Sequence, residues 1–328
     1  MMRRRDFIAG LGSASAWPVT ERAQQPAMPV VGFIYPGSPG ANSGNVAAFR
    51  SGLSETGYVE GQNLMVEYHW LEGQYDRLSA LVADLVRRRV AVIAIPGSLP
   101  ATLVAKNATA TIPIVFGVAE DPVRFGLVAS LARPGGNATG FNVFTNEVIT
   151  KRLELLHELL PKVARVAVLL NPANGPSAES TLRAVHEAAP ILGLQIQVLN
   201  ASTIGEIDAA FTTLARERSE ALFVAPDAFF LSRRLQFATL ATRDRIPANY
   251  SQPEYVAVGG LMSYGTENAE MFHQVGVYTG SILRGAKPAD LPVVQSTRFR
   301  LVINLGTARA LCIEVPRQLL AITDEVIE

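Results

Sequence analysis

From Val30 onward, apolar runs of about five residues alternate with longer stretches in which apolar positions recur every three or four residues. The first run, Val30-Val31-Gly32-Phe33-Ile34-Tyr35, leads into Pro36-Gly37-Ser38-Pro39-Gly40. A helical pattern through Val46, Phe49 and Leu53 follows, with Gly57 as its stop. The same rule predicts a strand over 64–69, a helix through Leu78, Leu81, Val82 and Leu85, and a strand over 90–95 that ends in Pro96-Gly97-Ser98. Ile112-Pro113-Ile114-Val115-Phe116-Gly117 closes the set. The set then repeats. A strand over 163–170 runs into Asn171-Pro172-Ala173-Asn174, and a helix through Leu182, Val185, Ala189 and Leu192 stops at Gly193. A strand over 194–199, a helix through Ile207, Phe211 and Leu214, and a strand over 221–225 ending in Pro226-Asp227-Ala228 come next. Ile246-Pro247-Ala248-Asn249-Tyr250-Ser251 echoes the earlier Ile-Pro segment. Pro190 falls inside one predicted helix and is expected to kink or shorten it.

Strands that alternate with helices form parallel sheets covered on both faces, because parallel neighbours need crossovers. The fold class is therefore α/β, with two lobes, each a doubly wound parallel sheet. In such sheets ligands bind beyond the carboxyl ends of the strands. Lobes that face each other would place both sets of loops on one cleft, with hinge closure as the expected motion.

Charge and composition narrow the function. Lys plus Arg and Asp plus Glu both number 29, so there is none of the basic excess of a nucleic-acid binder. The run Arg87-Arg88-Arg89 reads as a solvated helix end. Cys312, the single cysteine, rules out an intramolecular disulfide and reads as a small buried hydrophobe. At the N-terminus, Arg3-Arg4-Arg5-Asp6-Phe7-Ile8 and a short, weakly apolar stretch resemble a twin-arginine export signal, with residues 1–28 as signal and lead-in. The expected location is periplasmic. No cysteine near the signal's end is available for lipid attachment, so a lipoprotein is not expected. No later segment approaches the ~20 apolar residues of a membrane span.

Five phrases in order resemble one known family. They are Gly-Tyr-Val-Glu-Gly-Gln-Asn (57–63), Asp-Pro-Val-Arg-Phe-Gly-Leu-Val-Ala-Ser-Leu-Ala-Arg-Pro-Gly-Gly-Asn-Ala-Thr-Gly (121–140), Gly-Gly-Leu-Met-Ser-Tyr-Gly (259–265), Ile-Leu-Arg-Gly-Ala-Lys-Pro-Ala-Asp-Leu-Pro-Val (282–293) and Leu-Val-Ile-Asn-Leu (301–305). The chain from about Val30 to Glu328 resembles the ABC transporter substrate-binding proteins related to tryptophan- and tyrosine-type binding proteins. Cys312 and Gln295-Ser296 depart from the family's usual residues, away from the cleft loops. The resemblance implies a periplasmic binding protein type I fold, with two Rossmann-like lobes and a chain that crosses between them at a hinge. The lobes are expected at 29–140 plus about 265–290, and at 141–264 plus about 291–328. It also implies a small-molecule solute, an amino acid or related carboxylate, and an ABC permease of the inner membrane as partner. A membrane sensor receptor is the alternative partner; a periplasmic enzyme is the third reading.

Ligand-binding candidates follow from the strand ends. Gly37 with Ser38, and Gly97 with Ser98, precede helices whose N–H groups favour a carboxylate; plain helix capping is the competing role. Phe116 and Tyr250 occupy matching positions, either as facing aromatics around a flat group or as core. Asp227 suits a ligand ammonium or a helix cap. Asn142 and Tyr264 fall near the crossovers.

Nothing points to catalysis. The chain has no Walker loop, no Gly-x-Gly-x-x-Gly after its first strand, and a Pro-Gly-Ser-Pro-Gly that misses the nucleophile elbow. Its four histidines lack metal-ligand spacing, so neither cofactor nor metal is expected.

Overall fold

The computed structural model describes residues 28–328 except 41–42, 144 and 297 and the side chains of 145–147. The export-signal reading lies outside the described residues. The first five strands are β1 (Val30–Tyr35), β2 (Met65–Trp70), β3 (Val92–Pro96), β4 (Ile114–Val118) and β5 (Ala138–Asn142). The next five are β6 (Arg165–Leu170), β7 (Gln195–Asn200), β8 (Ala221–Val224), β9 (Ala248–Tyr250) and β10 (Met262–Gly265). Three more follow late: β11 (Val294–Gln295), β12 (Arg300–Asn304) and β13 (Glu325–Ile327).

Two sheets result, in the orders β11-β5-β4-β3-β1-β2 and β13-β12-β10-β9-β8-β6-β7. The shared succession of five strands is the internal echo of the sequence. All pairings are parallel except β10 with β12, where Met262 faces Ile303.

Successive strand residues feed opposite faces. Ile93, Ile95, Ile114 and Phe116 pack on helices Leu78–Arg88 and Leu99–Ala108, while Val92, Ala94 and Val115 pack on Ser43–Glu55 and Asn268–Leu283. In the second sheet, Val166, Val168 and Phe223 meet helices Thr145–Leu159 and Gly175–Ala188. Leu169, Leu222 and Val224 meet Ile204–Glu217 and Arg234–Asp244. Burial on both faces accounts for the unbroken apolar runs.

Several local expectations are refined. Helix Gly175–Ala188 ends just before Pro190, so the proline shortens rather than kinks it. Arg87 and Arg88 end their helix, and Arg88 pairs with Glu67 and Asp84 on the surface. Cys312 is exposed rather than buried; it sits past helix Leu305–Ala310 with a left-handed φ of 57°. The strand β5 was not anticipated, because Ala-Thr-Gly-Phe-Asn is short and interrupted by glycine.

The expected lobe boundaries at 141 and 291 also shift. Phe141 and Asn142 belong to the first sheet, and Val294 and Gln295 pair with them along its open edge. The chain thus passes between sheets three times: after β5, before helix Asn268–Leu283, and after β11.

That late helix is fastened to Ser43–Glu55 by backbone contact. A Cβ on Gly52 would lie 2.1 Å from the His273 carbonyl oxygen, and one on Gly276 would lie 2.2 Å from that of Phe49. Only glycines let the two helices approach so closely. Gly52→Val should lower unfolding free energy by about 3 kcal/mol or more, through overpacking of a rigid contact. Urea denaturation will test this, as a lower midpoint at unchanged slope.

Candidate functional site

One cavity is lined chiefly by loops at the carboxyl edges of strands from both sheets. From the first lobe come Tyr35 at the end of β1, Gly97 and Leu99 after β3, Ala119 and Glu120 after β4, and Val143 after β5. From the second come Asn174 and Ser177 after β6, Pro226, Asp227 and Ala228 after β8, Ser251 and Gln252 after β9, and Gly265 and Thr266 at β10. Val148, Ile149, Leu231 and Met271 complete the apolar lining. No lysine or arginine is among these residues.

Among the described residues, two carboxylates face this space. Asp227 is buried and caps helix Ala228–Ser232, its Oδ1 accepting the Phe230 N–H at 3.0 Å. The amide nitrogens of Asn171 and Asn174 donate to its Oδ1 and Oδ2, each at 3.1 Å. Burial pushes its carboxyl above the usual range, and these donors pull it partly back. Glu120 is buried on the opposite wall and is likewise raised, chiefly by desolvation. Backbone N–H groups and the Ser177 hydroxyl, which belongs to the other lobe, oppose that shift. The Tyr75 hydroxyl is buried without a hydrogen-bond partner among the described residues, and feels the charges of Asp227 and Glu120.

Gly97 is held in the left-handed region at φ 84°, and a Cβ there would stand 3.2 Å from the Tyr35 ring. Glycine therefore serves both the turn and the cavity wall. Helices Leu99–Ala108, Gly175–Ala188 and Asn268–Leu283 all begin at this cavity.

Of the nine residues singled out from sequence, Gly97 and Asp227 line the cavity. Ser98 is the adjacent helix cap, accepting the Ala101 N–H at 3.2 Å. Asn142 stands behind the wall: its side-chain amide donates to the carbonyls of Val118 and Glu120, at 3.1 and 2.7 Å, and so fixes the loop carrying Glu120.

Gly37 and Ser38 lie outside the lining; the Gly37 carbonyl instead accepts from Glu72 N–H, tying two loops of one lobe together. Phe116 and Tyr250 do not form facing walls. Each is fully buried in the core of its own lobe, and Tyr250 stacks on Tyr255 at 4.4 Å. Strand alternation turns both toward the helices, and the cavity residues of those strands come slightly later, at Glu120 and at Ser251. Tyr264 stacks on Phe299 beside the crossover, while Gly265 and Thr266 reach the cavity. Glu120 was missed although it follows β4 as Asp227 follows β8; that shared strand-end position was the available signal.

Among the described residues, no helix is long and apolar enough to cross a membrane, and no cluster of side chains suits a metal ion.

The ABC transporter substrate binding protein family matches residues 38–327. A tyrosine-binding protein of Clostridioides difficile (strain R20291) is 27% identical over 264 residues, 80% of this chain and 75% of that one. An ABC domain from Streptococcus pneumonia, solved in complex with L-Trp, superposes with a TM-score of 0.81 at 24% identity, over 91% of this chain and 99% of that one. A ligand-free, open substrate-binding protein with adhesive properties from Clostridium difficile gives 0.61 at the same identity and coverage. Two equivalent α/β lobes, a cavity built from their strand ends and a family match over most of the chain agree: this chain belongs to the ABC transporter substrate-binding proteins and has the periplasmic binding protein type I fold.

Proposed function

We propose that this protein is the extracytoplasmic solute-binding component of an ABC importer, and that its cavity closes by a hinge over an amino acid with an apolar or aromatic side chain. The observation that carries the reading is the pair Glu120 and Asp227, one from each lobe, buried at a cavity with no lysine or arginine among its described lining residues. An ammonium supplied by the ligand would compensate both charges as the lobes close. The helix N-termini at Leu99, Gly175 and Asn268 suit the ligand's carboxylate. Leu99, Val143, Ile149, Leu231 and Met271 suit its side chain.

The relatives support this choice of solute, one being a tyrosine-binding protein and one a complex with L-Trp. At equal identity the chain superposes more closely on the ligand-bound structure than on the open one, which supports reading the present arrangement of lobes as closed. Export through the N-terminal arginines, presentation to an inner-membrane permease and binding without turnover complete the proposal.

A thermal-melt screen of the purified protein against L-tryptophan, L-tyrosine, L-leucine, sugars and aromatic acids tests it. A ligand at about a thousand times its Kd adds roughly 4 kcal/mol, a shift of several degrees. The expected hit is an amino acid recovered chemically unchanged, with compaction in solution scattering. Asp227→Asn and Glu120→Gln should each weaken that ligand by about thirtyfold, the scale of losing one partner of a buried charge pair. A hit confined to sugars, or a ligand that returns altered, would overturn the reading.

The same carboxylates predict a pH signature of the ligand-free protein. Each holds its proton more tightly folded than unfolded. The stability this contributes is full below the ordinary carboxylate range and is lost as pH rises through the raised folded value. Relative to wild type, Glu120→Gln should therefore gain stability as pH rises above the ordinary carboxylate range. Paired melting curves check this; a difference constant with pH would mean that water reaches Glu120.

A further inference from the structure

Arg152 is fully buried on helix Thr145–Leu159, one turn beyond Val148 and Ile149, which line the cavity. Among the described residues its hydrogen-bond partners are all neutral. Nε donates to Asn249 Oδ1 at 2.9 Å, and Nη2 donates to the carbonyls of Val224 at 2.8 Å and Asn249 at 3.1 Å. The guanidinium lies 4.1 Å over the Phe223 ring, and Nη1 has no hydrogen-bond partner among the described residues. Burial draws its pKa down to about 9. A cation kept from water with no carboxylate beside it among the described residues is expensive, so packing alone does not account for it.

Its position suggests what it does. Val224 ends β8, two residues before Pro226 and three before Asp227; Asn249 lies in β9, two residues before Ser251. One guanidinium therefore straps together the two strand ends whose loops form the second lobe's wall.

We infer that Arg152 is a positioning residue for that wall, and that its uncompensated charge makes the wall select ligands bearing a carboxylate. The inference rests on the amino-acid reading above and adds a source of acid selectivity that does not touch the ligand. Asp227 and Glu120 would meet the ligand's ammonium in front, and Arg152 would favour its carboxylate from behind.

The test is calorimetric titration of L-tryptophan and L-tyrosine, each paired with its amide, against wild type, Arg152→Lys, Arg152→Gln and Asn249→Asp. Asn249→Asp keeps an acceptor for Nε while placing a counter-charge on the guanidinium, so it remains informative if Arg152→Gln does not fold. Wild type and Arg152→Lys should prefer the acid over the amide. Arg152→Gln and Asn249→Asp should lose about tenfold of that preference, the scale on which one charge acts through protein. Loss of affinity for acid and amide alike, with their ratio unchanged, would reduce Arg152 to a structural role and overturn the inference while leaving the amino-acid reading intact. A wild type that binds neither amino acids nor amides would overturn both.

Discussion

Holding two carboxylates out of water on opposite walls of one cavity is the constraint around which this structure is organised. Burial raises both, and the neighbouring side chains are spent on limiting the penalty rather than removing it. Asp227 has three donors fixed on it, which leaves its carboxylate oriented before any ligand arrives. Glu120 depends on backbone groups and on Ser177 from across the cleft, so part of its environment exists only while the lobes are together. Asn142 serves the same end from behind, by holding two carbonyls of the Glu120 loop. Charge that is oriented in advance and left uncompensated is an arrangement that recognises a cation, since the solvation it lacks is what the cation returns.

The architecture around these acids was legible because its physics is local. Unbroken apolar runs require two covered faces, covered faces require helices, and the repeated order of parts requires two similar sheets. The loops after β3 and β8 were legible for the same reason, as Gly97 and Asp227 stand where a strand must stop and a helix begin. Reading fell short where side-chain direction decides the outcome. Phe116 and Tyr250 lie on the right strands, but alternation gives them to the core, and the residues that face the cavity follow each strand's end.

Arg152 illustrates a different loss. Beside Lys151 it reads as the polar side of an amphipathic helix, yet Ile149, Leu153 and Leu156 place it on the apolar stripe. The spacing held the signal; what was missing was a reason for a cation to be there, and that lies nearly a hundred residues away at Asn249. The pairing of Val294 and Gln295 with the edge of the first sheet is equally remote, and two residues carry no periodicity to announce it.

The threefold passage of the chain between sheets bears on how the molecule is made. During synthesis the second lobe's central strands emerge before helix Asn268–Leu283, so the first lobe must wait for a late segment to cover the glycine face of helix Ser43–Glu55. Vectorial folding, in which an N-terminal unit matures before the next appears, is closed to this topology. The nascent first lobe presents an unfinished apolar surface until nearly nine-tenths of the chain has been translated. Completion of the first lobe is thereby coupled to the last crossings of the chain, so its apolar face and its sheet edge close together rather than in succession.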